Sequence, residues 1–115
     1  MWPVINDVET GNTPEYPHIQ PQSFQRSRQD VFDAAERVAR RQLAVEEVDA
    51  DAGRIRAIKV TRILRIKDDV TITVSGTDDK TTVNVRSKSR VGKGDLGQNA
   101  RTIEAFQRAL SDELR

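Results

Sequence analysis

Four runs rich in alternating apolar and polar residues fill the middle of the chain, at 44–49, 54–66, 70–75 and 81–89, and only short turns divide them. The turns read Asp51, Ala52, Gly53, then Lys67, Asp68, Asp69, then Gly76 through Lys80. Connections this short cannot carry a crossover, so successive runs must pair as antiparallel hairpins. Val70, Ile72 and Val74, with Val83 and Val85, make one face of the resulting meander apolar and leave the other polar. The second run changes phase, with Ile55 and Ala57 on one parity and Ile58, Val60, Leu64 and Ile66 on the other, which predicts a bulge near Ala57 and Ile58.

An apolar sheet face has to be covered, and two amphipathic stretches are available to cover it. Ser27 followed by Asp30 is an N-cap signature, and Val31, Ala34, Ala35, Val38, Ala39 and Leu43 then recur at helical spacing, so the pattern predicts a helix over 28–42. Its stripe is mostly alanine, which permits close approach to a sheet, while Arg37, Arg40 and Arg41 face water. A glycine- and charge-rich connector at 91–98 leads to a last helix carrying Ala100, Ile103, Phe106, Leu110 and Leu114. Residues 1–23 hold all four prolines and read as an extended N-terminal arm, in which only 18–24 is expected to add an edge strand, because Pro21 lacks a donor. The expectation is an α+β domain over 24–115: a curved antiparallel sheet of four or five strands with two helices packed on one face.

Composition narrows the partners. With 19 Lys and Arg against 18 Asp and Glu the net charge is +1, so no global field draws the protein to nucleic acid or anionic lipid, and any such attraction must be local. Cysteine is absent, which removes disulfides, thiolate nucleophiles and thiolate metal sites. No window approaches the ~18 apolar residues of a membrane span, and the first residues lack the basic and apolar regions of a signal peptide, so this stretch is expected to be soluble. A longer natural protein with an upstream membrane segment stays compatible with that. His18 is the only histidine and has no second histidine for a metal site; no metal or cofactor is expected.

Requiring Val83 and Val85 to share a face with Ile72 and Val74 fixes a hairpin register in which facing residue numbers sum to about 157. Asp69 then faces Lys88 and Thr71 faces Arg86 on the polar side, whereas Asp68 faces Ser89 and Val70 faces Ser87 on the core side. A carboxylate at the rim of an apolar face costs several kcal/mol unless it is paired and hydrogen-bonded. Two readings follow. Asp68, Ser87, Ser89 and Arg90 form a latch between the sheet and the last helix, or the same cluster, extended through Asp69, Arg86, Gly92, Lys93, Asp95 and Asn99, is a polar or anion-binding site. Flexible glycine backbone, Arg90, Lys93 and a helix N-terminus favour an anion; Asp95, read as the helix cap, would already occupy the free amides. Asn99 is read as a residue of the first helical turn that caps it or bonds back to the connector.

Ser87 and Ser89 have no partnered histidine and no Gly-x-Ser-x-Gly setting, so a hydrolase is disfavoured. Arg54, Arg56, Lys59, Arg62 and Arg65 form a basic run without interleaved aromatics, which does not fit specific nucleic-acid recognition.

The stretches KDDV at 67–70 and VRSKSRVGKGDLGQNA at 85–100, with INDV at 5–8 and GRI at 53–55, resemble the bacterial family of domain of unknown function 1499 over nearly the whole chain. The resemblance implies no assigned activity and supplies no catalytic residues. It implies the soluble part of an envelope-associated or periplasmic protein, since relatives are often exported or attached to membrane segments. The element order is also similar to the β-α-β4-α helix-grip arrangement, whose members commonly hold apolar ligands between sheet and helix, although a shared fold is weak evidence of function. The combined expectation is a non-catalytic binding or interaction domain of the bacterial cell envelope, with an unidentified protein or small molecule as partner. The alternative is a small-ligand domain with a pocket between sheet and helices.

Overall fold

The alternation along the middle of the chain produces the meander it predicts. A computed structural model describes residues 5–62, 65–92 and 96–115. In chain order the elements are β1 (Asp7–Glu9), β2 (Gln22–Phe24), α1 (Arg28–Gln42), β3 (Ala44–Asp49), β4 (Arg54–Val60), β5 (Lys67–Gly76), β6 (Thr81–Ser89) and α2 (Gln98–Glu113). The strands form one antiparallel sheet in the order β1-β6-β5-β4-β3, with β2 also pairing β6. β1 lies against residues 86–88 of β6 and β2 against residues 81–83, so two short strands share the fifth position of the sheet. Thr10 fills the interval between them: it exchanges hydrogen bonds with Val85, whose N–H donates to Thr10 Oγ1 at 3.1 Å while the Thr10 N–H donates to the Val85 carbonyl at 3.0 Å.

α1 starts where the cap signature places it, with Ser27 accepting the Asp30 N–H at 3.1 Å. Val31, Ala34, Ala35, Val38 and Ala39 are wholly buried against β3, β4 and β5, and α2 lies beside α1 over β6 and β1. Small side chains on α1 bring its axis close to the sheet, and Ile103, Phe106 and Leu110 of α2 fill the remainder with Ile72, Val83 and Val85. The β3–β4 turn is tied to the start of α1 by Arg28, whose guanidinium donates to the carbonyls of Ala50 and Asp51 at 3.0 and 3.2 Å. Gly53 closes that turn at φ +71, where an added Cβ would strike the Val74 carbonyl and the Arg28 guanidinium, so both the dihedral and the space demand glycine.

Three expectations need correction. Residues 5–23 are not merely an extended arm: β1 adds a strand, and Val8 and Ile19 are buried in the core at 0% and 2% exposure. Proline and turn residues forbid long strands there but leave room for short ones that carry single apolar anchors. The run 54–66 is not one strand. β4 ends at Val60, which faces Lys67, and beyond it the Thr61 N–H donates to the Ile66 carbonyl at 2.9 Å and the Ile66 N–H to Thr61 Oγ1 at 2.8 Å, residues 63 and 64 lying outside the described residues. Lys67, Asp68 and Asp69 therefore open β5 rather than form a turn. The bulge sits across from its expected place: β4 keeps an unbroken register with β5, and the slip falls in β3 between Val45 and Glu47, opposite Ala57 and Arg56. An edge strand can absorb the extra residue without breaking pairing on two sides.

If Ile19 is a core anchor rather than part of a loose arm, Ile19→Ala should lower unfolding stability by about 2–5 kcal/mol. Urea denaturation followed by circular dichroism measures this, and an unchanged midpoint would return residues 1–23 to the role of a detachable arm.

Candidate functional site

Where β5, β6 and α2 meet at one end of the core, each of their apolar stripes turns polar. Asp68 continues the parity of Val70, Ile72 and Val74; Ser87 and Ser89 continue that of Val83 and Val85; Asn99 continues the stripe of Ile103, Phe106 and Leu110. The register is the expected one, with Asp68 facing Ser89, Val70 facing Ser87 and Asp69 facing Lys88. Asp68, Ser87 and Asn99 are fully buried and Ser89 is 5% exposed.

These side chains form a directed hydrogen-bond chain. Ser87 Oγ donates to Asn99 Oδ1 at 2.5 Å, Asn99 Nδ2 donates to Ser89 Oγ at 2.9 Å, and Ser89 Oγ donates to Asp68 Oδ1 at 2.8 Å. Asn99 Nδ2 also reaches the Asn6 carbonyl at 3.2 Å, which accepts the Ser89 N–H at 2.8 Å, while Asn6 Nδ2 donates to the Gly92 carbonyl at 2.8 Å. The amide of Asn99 thus joins α2 to β6 and to the segment before β1. A connected buried network of this kind is more than the sum of its pairs, because leaving one member without its partner exposes the desolvation penalty of the rest.

Of the residues expected in the latch, the structure brings Asp68, Ser87 and Ser89 together and leaves Arg90 out. Side chains alternate along a strand, so Arg90, one residue beyond the inward Ser89, points outward. It grips Asp69 instead, at 2.8 Å from Nη2 and 3.0 Å from Nε to the two carboxylate oxygens, and holds that carboxyl below the usual carboxylate range. Arg86 is also outward and forms a forked pair with Asp7 of β1 at 2.9 and 2.6 Å. Asp69, Arg86 and Arg90 therefore lie on the solvent face, separated by the sheet from the buried cluster. Gly92 contributes its carbonyl to Asn6, and Lys93 and Asp95 lie outside the described residues. The cap position of α2 belongs to Gly97 rather than to Asp95: Leu96 and Gly97 take left-handed φ values of 52 and 79, and this turn delays the first helical residue to Gln98.

Sequence reasoning underrated Asn99 and missed Asn6 and Thr10. The Asn99 signal was its spacing of four from Ile103, which places an amide on the buried stripe. For Asn6, whose contribution is chiefly a backbone carbonyl, no side-chain pattern announces the role. Among the described residues no group of three or more His, Cys, Asp or Glu is arranged to hold a metal ion.

A family model described as "Protein of unknown function (DUF1499)" matches residues 3–110. The chain belongs to the DUF1499 family. No curated protein matches it in sequence. In structure this DUF1499 domain is similar to the di-domain ARO/CYC BexL from the BE-7585A biosynthetic pathway, with a TM-score of 0.60 and 13% identity over 96% of this chain and 45% of that one, so it spans under half of that protein. It is more distantly similar to TTHA0849 from Thermus thermophilus (TM-score 0.47, 11% identity, 94% of this chain and 96% of that one). A conserved protein from Geobacillus kaustophilus gives a TM-score of 0.42 at 12% identity, over 82% of this chain and 91% of that one. The first likeness supports the helix-grip-like α+β architecture and carries nothing about activity.

Two expected outcomes follow from the geometry. Ser89→Ala and Asn99→Ala should each lower stability by about 1–3 kcal/mol, whereas Arg90→Ala should leave the urea midpoint within error, because its pair is solvent-exposed. The reverse ranking would reject the assignment of the latch. The second concerns acid. The Arg86 hydrogen bond holds Asp7 below its ordinary value of 3.8, so the folded state favours the carboxylate. Stability from this pair is present above 3.8 and is lost as pH falls through the lower folded value. Asp7→Asn should therefore be less stable than the unaltered protein at neutral pH, and the gap should close in acid below that value; a gap constant with pH would contradict the pairing.

Proposed function

We propose that the domain works by contact rather than by chemistry, as a non-catalytic interaction module of the bacterial cell envelope. The observation that carries the first half is the closure of the polar cluster. Ser89 is the one hydroxyl there with a carboxylate to take its proton, and it is buried beneath α2, its oxygen accepting from Asn99 and its proton directed to Asp68. A nucleophile needs an approach path for substrate and donors for the developing oxyanion, and the neighbouring donor, the Asn99 amide, is spent on Ser89 and Asn6. The envelope half rests on the family resemblance described above.

The likeness to an ARO/CYC protein raises the alternative of an apolar ligand held between sheet and helices. In this chain Ile72, Val83, Ile103, Phe106 and Leu110 occupy that space, each at most 1% exposed, so a ligand there would have to displace packed side chains. The surface is then the part of the molecule free to recognise a partner.

Purified protein assayed against a panel of ester, amide and phosphate substrates should show no turnover above that of the Ser89→Ala variant. Turnover that disappears in Ser89→Ala while the fold persists would overturn the non-catalytic reading. Native mass spectrometry of protein taken from cells should give the mass of the bare chain, and a retained apolar small molecule would favour the pocket instead.

A further inference from the structure

Antiparallel hairpins sort their turns to opposite ends of a sheet, and here the two ends differ in charge. One end gathers the β3–β4 and β5–β6 turns, where Asp49, Asp51, Asp78 and Asp79 are offset by Arg28, Arg54 and Lys80. The other gathers the β4–β5 loop and the β6–α2 connector, held together by the Arg90 N–H donating to the Lys67 carbonyl at 3.0 Å. That end exposes Arg62, Arg65, Lys67, Arg90 and Arg101. Its exposed acids among the described residues are Asp69, which Arg90 neutralises, and Glu46 in the bulge of β3. A net charge of +1 thus conceals a local excess of exposed cations at this end.

The same end also carries the large exposed hydrophobic side chains of the described surface, Val91 at 61% and Leu96 at 66% exposure. They lie within the connector, Val91 beside Arg90 and Leu96 with its carbonyl accepting from Arg101. Apolar tips beside a basic loop suit the boundary between lipid headgroups and acyl chains, where the tips bury and the cations meet anionic phosphates. Nucleic acid is the weaker match, since single-strand binding relies on aromatic platforms and the described aromatics, Tyr16, Phe24, Phe32 and Phe106, lie in neither loop.

We propose that the end formed by 61–62, 65–67 and the 90–92 and 96–101 flanks of the connector docks on an anionic lipid bilayer, with Val91 and Leu96 entering the headgroup layer and Arg62, Arg65 and Lys67 pairing with lipid phosphates. No helix among the described residues is long and apolar enough to cross a membrane. The inference rests on the reading of the domain as an interaction module and names the partner class.

Flotation of the full chain with vesicles of phosphatidylcholine, with and without phosphatidylglycerol, tests it. Binding should require phosphatidylglycerol and fall as salt is raised, a readout that needs no variant. Arg62→Gln and Arg65→Gln should weaken binding roughly fivefold per cation removed. Val91→Ser and Leu96→Ser should weaken it further, while Asp78→Asn and Asp79→Asn at the far end should not. Failure to bind the anionic vesicles, or binding that the first four substitutions leave untouched, would overturn the assignment. So would a DNA or RNA oligonucleotide that binds at least as tightly and displaces the vesicles. None of these outcomes bears on turnover, so the non-catalytic reading stands or falls separately in the substrate assay.

Discussion

The face-sharing register of β5 and β6 is the constraint on which the rest of the structure depends. Once Ile72 lies opposite Val85 and Val74 opposite Val83, the alternation of side chains leaves no freedom: Asp68 and Ser89 must face inward together, and Asp69, Lys88, Arg86 and Arg90 must face outward. A slip of one residue would bury the charges and expose the valines, a loss far larger than any single contact could offset. The two helices and the N-terminal strands are accommodated to that face. α1 presents alanines to it, α2 presents a stripe that becomes an amide at the same end where the sheet becomes hydroxyl and carboxylate, and the chain before β1 supplies the last acceptor through the Asn6 carbonyl.

This arrangement explains how a core can end in polar groups without weakening. The protein meets the inward carboxylate with a serine hydroxyl, the serine with an amide and the amide with a second serine, so that desolvation is shared by partners fixed on three elements. The two outward ion pairs, Arg86 with Asp7 and Arg90 with Asp69, belong to a different physical regime. Water and salt screen them, and their contribution is orientation and modest stability rather than cohesion.

Much of this is legible in the sequence. The hairpin order, the bounds of α1 with its Ser27 cap and the register that buries Asp68 all follow from period-two and period-3.6 patterning, because each is dictated by local spacing. Arg90 was legible too, had the alternation that placed Ser89 inward been carried one residue further. The limits of the rest are physical. The end of β4 at Val60 depends on where the chain has room to reverse, which Ile63, Leu64 and Ile66 hide by continuing an apolar pattern. The core role of Val8 and Ile19 is long-range: proline and glycine announce a segment without long elements, but isolated anchors inside it show only when the surface that receives them exists. Asn6 meets the cluster through its backbone carbonyl, which no residue type encodes.

The pairing of β1 with the end of β6 has a consequence for how the protein comes into being. Residues 7–9 find their partners at 86–88, so the first strand of this domain waits for its last, and the Asn6 carbonyl waits longer still, for Asn99. Contacts of such sequence separation slow folding and keep unfinished edges open during synthesis. The meander can assemble as it emerges, but the sheet is sealed only when nearly the whole of this domain has been made, which gives a domain cut short before α2 no finished fold to settle into.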